Sequence, residues 1–218
     1  MHEQVWYYCS FGSFRGLSIF YFGCAGQQSA PKSQSQNAEA EQSQSASADK
    51  KEAVKDLKGW EGTWNDFSKY LDDKELDSAY AEKAKEAGKS PEDIKKELKE
   101  RRHSDFGGLE IKGDTITFLD GFKDKGGKEI GKVTYKFKDS KKVQHGGKEL
   151  EWDVFEAQDK DAKYPVLLMM PVHGEEELVH FHMRYGKNAD ELFKKDGWFP
   201  TFVKPNSTMD QIADEVKE

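Results

Sequence analysis

The feature that most constrains the fold is a run of segments between residues 105 and 186 in which apolar and polar side chains alternate. In IGKVTYKFKDS, for example, Val133, Tyr135 and Phe137 alternate with polar residues, and KELEWDVFEA repeats the pattern. Successive side chains of a strand point to opposite faces of a sheet, so this alternation predicts strands with one buried face. The connections are short and rich in Gly, Lys and Asp, which predicts an antiparallel meander that forms a barrel or a sandwich.

Three further segments extend this series of strands. GLEIKGDTITFLDG places a Gly-Asp turn between two short strands, YPVLLMMPV is a continuous apolar run, and ELVHFHMRYG follows it. Helical patterns lie mainly before these segments in the chain. We therefore expect a mostly β protein of the α+β class, in which helices flank the sheet.

The start of the predicted domain carries four large apolar side chains at intervals of four, three and four residues. They are Trp60, Trp64, Phe67 and Leu71. These intervals place the side chains on one face of a helix, so they predict a helix with an aromatic stripe.

Three more segments are predicted to be helical. One ends near Gly88, and the next begins at Ser90, which is suited to cap the helix, with Pro91 at its first position. The tail of the chain forms the last predicted helix, which Ser207 or Thr208 can cap.

Composition excludes several classes of protein. The formal net charge is −7, whereas a nucleic-acid-binding domain normally shows a basic face. Both cysteines, Cys9 and Cys24, lie in the first 24 residues, which excludes a disulfide framework and a thiolate zinc site from the rest of the chain. No apolar run reaches the roughly 20 residues that a membrane-spanning helix needs.

The segment 1–24 resembles an export signal. Arg15 precedes a short apolar run from Leu17 to Phe22, which ends at Gly23 and Cys24. This order is typical of a secretory signal, and the cysteine resembles the acylated cysteine of a bacterial lipoprotein. Cys24 is therefore the candidate site of lipid attachment in an extracytoplasmic protein held at the cell membrane. The alternative is that these residues form a frayed N-terminus without a function.

The segment 25–53 is rich in Gln, Ser and Ala with scattered charge. It has little apolar surface to bury, so we expect it to be disordered. A flexible chain of this length has an end-to-end reach of about 30 Å. That reach suits a tether between a lipid anchor and a folded domain that spans residues 54–218.

Two histidines one residue apart lie in the strand segment LVHFHMRYG. His180 and His182 point to the same face of a strand, with Cβ atoms roughly 6.5–7 Å apart, so imidazoles that lean together can share one Zn²⁺. His173 precedes His180 by seven residues, and a tight turn from Gly174 to Glu176 would place it beside the pair. Three histidines with an open fourth position make a tetrahedral zinc site plausible.

These histidines also admit an ordinary structural role, because a His-x-His pair occurs on strands by chance. A fourth ligand could come from Glu175, Glu176 or Glu177, which could equally form a solvated turn. We expect no part in the site for His145, in a predicted hairpin tip, or for His103, at a predicted helix end.

Four short motifs occur in the order in which one known family carries them. They are WEGTW at 60–64, Ser104-Asp105, HFHMRYG at 180–186 and GWFPTF at 197–202. Together they resemble the ZinT family of extracytoplasmic zinc-binding proteins, which also occurs as the C-terminal domain of AdcA-type zinc lipoproteins. The resemblance covers about Asp56 to Glu218, or nearly all of the predicted domain.

This resemblance implies a calycin-like, lipocalin-related β-barrel with helices alongside and a zinc site at one end of the barrel. His180 and His182 match the histidine pair of the family, and His173 is the third ligand that the resemblance implies. The implied partners are the zinc ion and an ABC-type zinc importer or its solute-binding component. The implied role is to capture zinc, sometimes cadmium, outside the membrane and to support its delivery to the importer, without catalysis.

Two other functions stay open on the residues alone. Three histidines with an open position also describe a catalytic zinc, so the chain could be a zinc-dependent hydrolase. That activity needs a general base near a bound water, and the motifs H-E-x-x-H and G-x-S-x-G are absent from the sequence. The chain could also be a lipocalin-like carrier of a small apolar ligand, with incidental histidines.

Overall fold

The structure is a computed structural model that describes residues 55–174 and 177–217. The predicted signal-like segment with Cys24 and the predicted tether lie outside the described residues, as do Glu175 and Glu176. Among the helices of the described ranges, none has the length and apolar character needed to cross a bilayer.

Eight antiparallel strands of the described chain form a closed barrel in sequence order. Each strand pairs with the next, and the last pairs with the first through Asn65 and Val203. This closure confirms the predicted antiparallel barrel and excludes the sandwich. The strands are β1 (Gly62–Asp66), β2 (Gly108–Lys112), β3 (Thr115–Leu119), β4 (Glu129–His145), β5 (Lys148–Ala157), β6 (Val166–Met169), β7 (His180–Gly186) and β8 (Thr201–Val203).

The longest hairpin joins β4 to β5. Its register runs to the pair of His145 and Lys148, so Gly146 and Gly147 form a two-residue turn. Both glycines have positive φ, at 56° and 79°, as the favoured type I′ hairpin turn requires. His145 therefore lies next to the hairpin tip, as predicted.

Aromatic side chains fill the interior of the barrel. Phe106 stacks on Phe202 with ring centroids 5.4 Å apart, and its edge meets Phe118 at 4.9 Å. Trp64 meets Phe181 edge to face at 4.8 Å. Such contacts add to the free energy that the large buried area of these rings already contributes.

The described helices are α1 (Asp77–Ala87), α2 (Pro91–Arg102), α3 (Ala189–Phe193) and α4 (Met209–Lys217). Short 3-10 helices lie at Leu57–Trp60, Phe67–Lys69, Lys74–Leu76 and Lys123–Lys125. α1 and α4 share a second core outside the barrel, which includes Leu76, Tyr80, Ile212 and Val216.

The predicted helix ends are confirmed at three places. Gly88 adopts the left-handed conformation after α1, with φ 65°, and the Ser90 side chain accepts a hydrogen bond from the Asp93 amide at the start of α2. Of the two candidates for α4, Thr208 takes the capping role, because its Oγ1 accepts from the Gln211 amide at 3.3 Å.

The predicted helix with an aromatic stripe is wrong. Trp60 ends a 3-10 helix, Trp64 lies on β1, and Phe67 begins another 3-10 helix. Gly62 has φ 121°, which a helix does not contain, and the Asp66 side chain accepts from the Ser68 amide to start the next turn. The aromatic side chains therefore enter two different cores instead of one helix face.

We expect truncation of Leu109 to destabilise the barrel much more than truncation of an exposed strand residue. Leu109 on β2 is 0% exposed, whereas Ile130 on β4 is 49% exposed. Leu109→Ala should lower the free energy of unfolding by about 2–5 kcal/mol, because it leaves a cavity. Ile130→Ala should change it by less than about 0.5 kcal/mol. Urea denaturation measures both, and equal losses would contradict this packing.

Candidate metal centre

The strand β7 has one apolar face and one histidine face. Phe181 and Met183 are fully buried in the barrel interior. His180 and His182 point the opposite way, because successive side chains of a strand alternate. The histidine pair therefore lies on the outer face of the barrel wall, at the beginning of the strand.

His173 lies directly opposite His180 in an isolated antiparallel pair. The His173 amide donates to the His180 carbonyl, and the His180 amide donates to the His173 carbonyl, both at 3.0 Å. Gly174 follows with φ 80°, and a Cβ at this position would collide with the Leu178 carbonyl oxygen. A glycine is therefore required for the chain to turn so sharply next to the histidines.

The three imidazoles form one compact group. The ring centroids of His173 and His180 are 4.1 Å apart, and His182 lies 5.4 Å from the first and 5.2 Å from the second. One ligand nitrogen from each ring lies within 4.8 Å of the others. A tetrahedral zinc ion needs its donor atoms roughly 3.4 Å apart, so small side-chain rotations adapt the group to the ion.

Backbone carbonyls hold two of the rings through their Nδ1 atoms. His173 Nδ1 lies 2.8 Å from the Pro171 carbonyl oxygen, and His180 Nδ1 lies 2.7 Å from the Leu178 carbonyl oxygen. A carbonyl only accepts, so each Nδ1 carries the proton and each Nε2 carries the lone pair. This is the tautomer that a metal ligand bound through Nε2 requires.

A threonine hydroxyl and an arginine contact the third imidazole, that of His182, at its Nδ1 atom. Thr201 Oγ1 donates to the Phe199 carbonyl at 2.9 Å and accepts from Arg102 Nη1 at 2.9 Å. His182 Nδ1 lies 2.9 Å from this hydroxyl and 3.3 Å from Arg102 Nη1. These two contacts hold the Nδ1 side of the His182 ring.

The pKa of His182 lies well below its usual value. Burial is the largest cause, and the positive charge of Arg102 is the next. The imidazole is therefore neutral at neutral pH, which is the form that binds a metal.

A buried ion pair lies beside the histidines. Arg102 Nη2, at the end of α2, donates to Glu215 Oε1 on α4 at 2.6 Å, and both side chains are less than 10% exposed. Glu215 Oε2 lies 4.0 Å from His180 Nε2. Burial raises the pKa of Glu215, and the charge of Arg102 opposes that rise.

A cavity of about 420 Å³ opens beside His173 and His180. Three acidic residues also line this cavity, namely Glu177, Asp214 and Glu215. Carboxylates in a cleft raise the local concentration of cations. The arrangement can therefore admit a divalent cation from solvent to His173 and His180.

The structure brings His173, His180 and His182 together, as the sequence predicts, and leaves the other described histidines elsewhere. His145 lies 3.2 Å from Asp196, and His103 lies 3.6 Å from Asp105. Of the three predicted candidates for a fourth ligand, only Glu177 is described, as an exposed residue of the cavity rim.

Three polar residues of the site were missed by the sequence analysis, namely Arg102, Thr201 and Glu215. Periodicity could have indicated two of them. Arg102 continues the helical spacing of the apolar residues of α2, and Glu215 lies between the buried Ile212 and Val216 on one face of α4.

Comparison with known proteins places this geometry in a family. Residues 38–218 match the family model described as ZinT (YodA) periplasmic lipocalin-like zinc-recruitment. The probable metal-binding protein YrpE of Bacillus subtilis is 28% identical over 173 residues, which are 77% of this chain and 66% of that protein. The zinc-binding lipoprotein AdcA of Streptococcus pneumoniae serotype 4 is 31% identical over 177 residues, which are 75% of this chain and 33% of AdcA.

Solved structures agree with these matches. The Zn(II)-bound ZinT-like domain of Streptococcus pneumoniae AdcA superposes with a TM-score of 0.60 at 27% identity, over 76% of this chain and 93% of that domain. Zn(II)-bound AdcA itself superposes with a TM-score of 0.62, over 36% of its length. The chain thus spans about a third of AdcA and about two thirds of YrpE. Since the family model matches most of its length, the chain belongs to the ZinT family.

Proposed function

We propose that this domain captures Zn²⁺ through the Nε2 atoms of His173, His180 and His182. One observation carries the proposal: a ligand nitrogen of each ring lies within 4.8 Å of the other two. The Nδ1 atoms contact two carbonyl oxygens and a hydroxyl, so the rings are oriented before an ion arrives. Such outer partners raise the basicity of a histidine ligand and fix its direction.

The choice of zinc follows from the donor atoms. Imidazole suits zinc, copper and nickel, whereas carboxylate and water ligands suit magnesium and calcium. Zinc accepts three histidines and leaves a fourth position open. The relatives described as zinc-binding and Zn(II)-bound support the same ion. Cd²⁺ is a second cargo that we propose, and competition against Zn²⁺ tests it.

We infer a binding role and not a catalytic one. The family model describes zinc recruitment, which supports binding as the whole function. The barrel interior is filled by aromatic side chains, which argues against a carrier of an apolar ligand inside it. Turnover of an ester or a peptide by the zinc-loaded domain, lost in His180→Ala, would contradict this inference and favour a hydrolase.

Removal of two imidazoles should abolish zinc capture. Mutation of a group that supports a metal ligand lowers metal affinity by roughly 10–100-fold. We expect the double variant His180→Ala, His182→Ala, which lacks two ligands, to lose more than that. His145→Ala is the matched control, because His145 lies outside the group and faces Asp196. Competition titration against a chromophoric chelator measures both. Retention of tight zinc binding by the double variant would contradict the proposed site.

Zinc affinity should fall steeply as the pH decreases below about 6, because protons compete with zinc for neutral imidazole. The pKa of His182 is lowered. Protons therefore compete with zinc for this ring only at a lower pH than the one at which an exposed histidine titrates. Titrations from pH 5 to 8, with circular dichroism of the metal-free domain as a control for folding, measure the slope. An affinity that stays constant over this range would contradict a histidine site.

We further propose that the domain is held outside the membrane by a lipid on Cys24 and passes zinc to an ABC-type importer or its solute-binding component. The description of AdcA as a lipoprotein supports the anchor, and the family description supports the compartment. Cys24→Ser should abolish incorporation of labelled palmitate and lower zinc uptake by zinc-starved cells. Unchanged labelling would contradict the anchor, and unchanged uptake in the histidine double variant would contradict delivery.

A further inference from the structure

A second cavity, of about 280 Å³, lies beside the β4–β5 hairpin. Its wall includes Arg184 of β7, Trp152 of β5 and Phe199, together with the basic side chains His145 and Lys194. The volume is near the lower end of the range for ligand pockets, so the cavity suits a small molecule or ion. It shares no lining residue with the cavity beside the candidate metal centre.

Arg184 is a buried charge that lacks an acidic partner. It is 4% exposed and points away from the barrel interior, because it alternates with Met183 and Tyr185 of the aromatic core. Its Nε donates to the Trp198 carbonyl at 2.9 Å, and its Nη1 donates to the Leu192 carbonyl at 3.0 Å. Within the part of the chain that the structure describes, no Asp or Glu forms an ion pair with it. Burial of an unpaired charge costs free energy, which an anion in the cavity would offset.

Two aromatic rings hold the guanidinium of Arg184 in the cavity wall. Its Cζ lies 4.8 Å from the ring centroid of Trp152 and 4.5 Å from that of Phe199. The two carbonyls fix its orientation, and none of the described residues accepts a hydrogen bond from its Nη2. This nitrogen is therefore a fixed donor that a ligand can use.

The indole of Trp152 supplies a second unused donor. The residue is 0% exposed, and its Nε1 has no hydrogen-bond partner among the residues that the structure describes. Nearly all buried donors are paired, so an unpaired one in a cavity wall calls for an explanation. An indole N–H only donates. Its partner must therefore be an acceptor, such as the oxygen of an anion.

The charges around the cavity also favour an anion. Lys194 is exposed at the rim, and Asp196 is the one acidic residue among the described residues that line the cavity. The Asp196 carboxylate is 85% exposed and lies 3.2 Å from His145 Nδ1. Arg184 and Lys194 outnumber it, so the lining is net positive even when His145 is neutral. This is notable in a chain whose formal net charge is −7, because such a local excess of positive charge attracts anions.

We propose that this cavity binds a small oxyanion through Nη2 of Arg184 and Nε1 of Trp152, while Lys194 attracts the ion from solvent. Inorganic phosphate, sulfate and the carboxylate of an organic acid share the acceptor oxygens that these donors require. The proposal does not rest on zinc capture, since none of these residues is a proposed metal ligand. The metal-free protein should therefore bind the anion as well.

Calorimetric titration of the metal-free full chain with inorganic phosphate tests the proposal. The indole N–H resonance of Trp152, identified as the one missing in Trp152→Phe, locates the ion by nuclear magnetic resonance. We expect saturable binding at millimolar or lower phosphate and a shift of this resonance. Separate titrations with sulfate and acetate distinguish an inorganic oxyanion from a carboxylate, and chloride at equal ionic strength controls for screening. A resonance that none of the three oxyanions shifts, or that chloride shifts equally, would overturn the proposal.

Three variants test the residues of the cavity. Arg184→Lys keeps the charge but loses the planar fork of donors, so we expect phosphate affinity to fall by about 10–100-fold, the effect of a hydrogen bond to a charged group. Lys194→Gln and Lys195→Gln form a matched pair, because both lysines are exposed and only Lys194 lines the cavity. Lys194→Gln should lower the affinity by about 3-fold, and Lys195→Gln should change it by less than about 1.5-fold.

The lysine pair keeps the test decisive if circular dichroism shows that Arg184→Lys does not fold. Wild-type affinity in a folded Arg184→Lys would overturn the proposal. Equal losses in Lys194→Gln and Lys195→Gln would also overturn it, because they would mean that surface charge attracts the anion without a defined site. None of these variants changes a histidine, so failure of this proposal would leave the proposed zinc capture standing.

Discussion

The two-sided character of β7 is the constraint on which the rest of the structure depends. Phe181 and Met183 face inward and are fully buried, so the aromatic core fixes the register of the strand. A slip of one residue would exchange the two faces and move both side chains out of the barrel core. His180 and His182 are therefore held on the outer face by hydrophobic burial on the inner one. The side chains whose packing positions the candidate site are therefore not themselves metal ligands.

Polar contacts then orient the histidine side chains that the core has positioned. His173 and His180 meet backbone carbonyls, and His182 meets the hydroxyl of Thr201. Side chains that are oriented before binding lose less conformational entropy when an ion binds. The buried pair of Arg102 and Glu215 completes this arrangement. Burial of two charges gives little net stability by itself.

Local patterns in the sequence predicted the parts of the fold in which neighbouring residues decide the structure. Alternation predicted the strands, and Ser90 and Gly88 marked helix ends because capping depends on a few adjacent residues. The histidine cluster could be predicted from the sequence for the same reason. His180 and His182 share a face by the period of the strand, and a tight turn at Gly174 brings His173 back beside them.

Features that depend on closure of the barrel could not be predicted from local sequence patterns. Trp60, Trp64 and Phe67 have helical spacing, but β1 must lie between β8 and β2 to close the sheet, and this tertiary pairing overrides the local pattern. Arg102 and Glu215 are 113 residues apart in the chain, on two different helices, and only the tertiary fold brings them together. Each lies on the apolar face of its own helix, so a charge within an apolar stripe is the local sign of a buried partner. That sign identifies the residues but not their partners, because the pairing is a property of the closed sheet against which both helices pack.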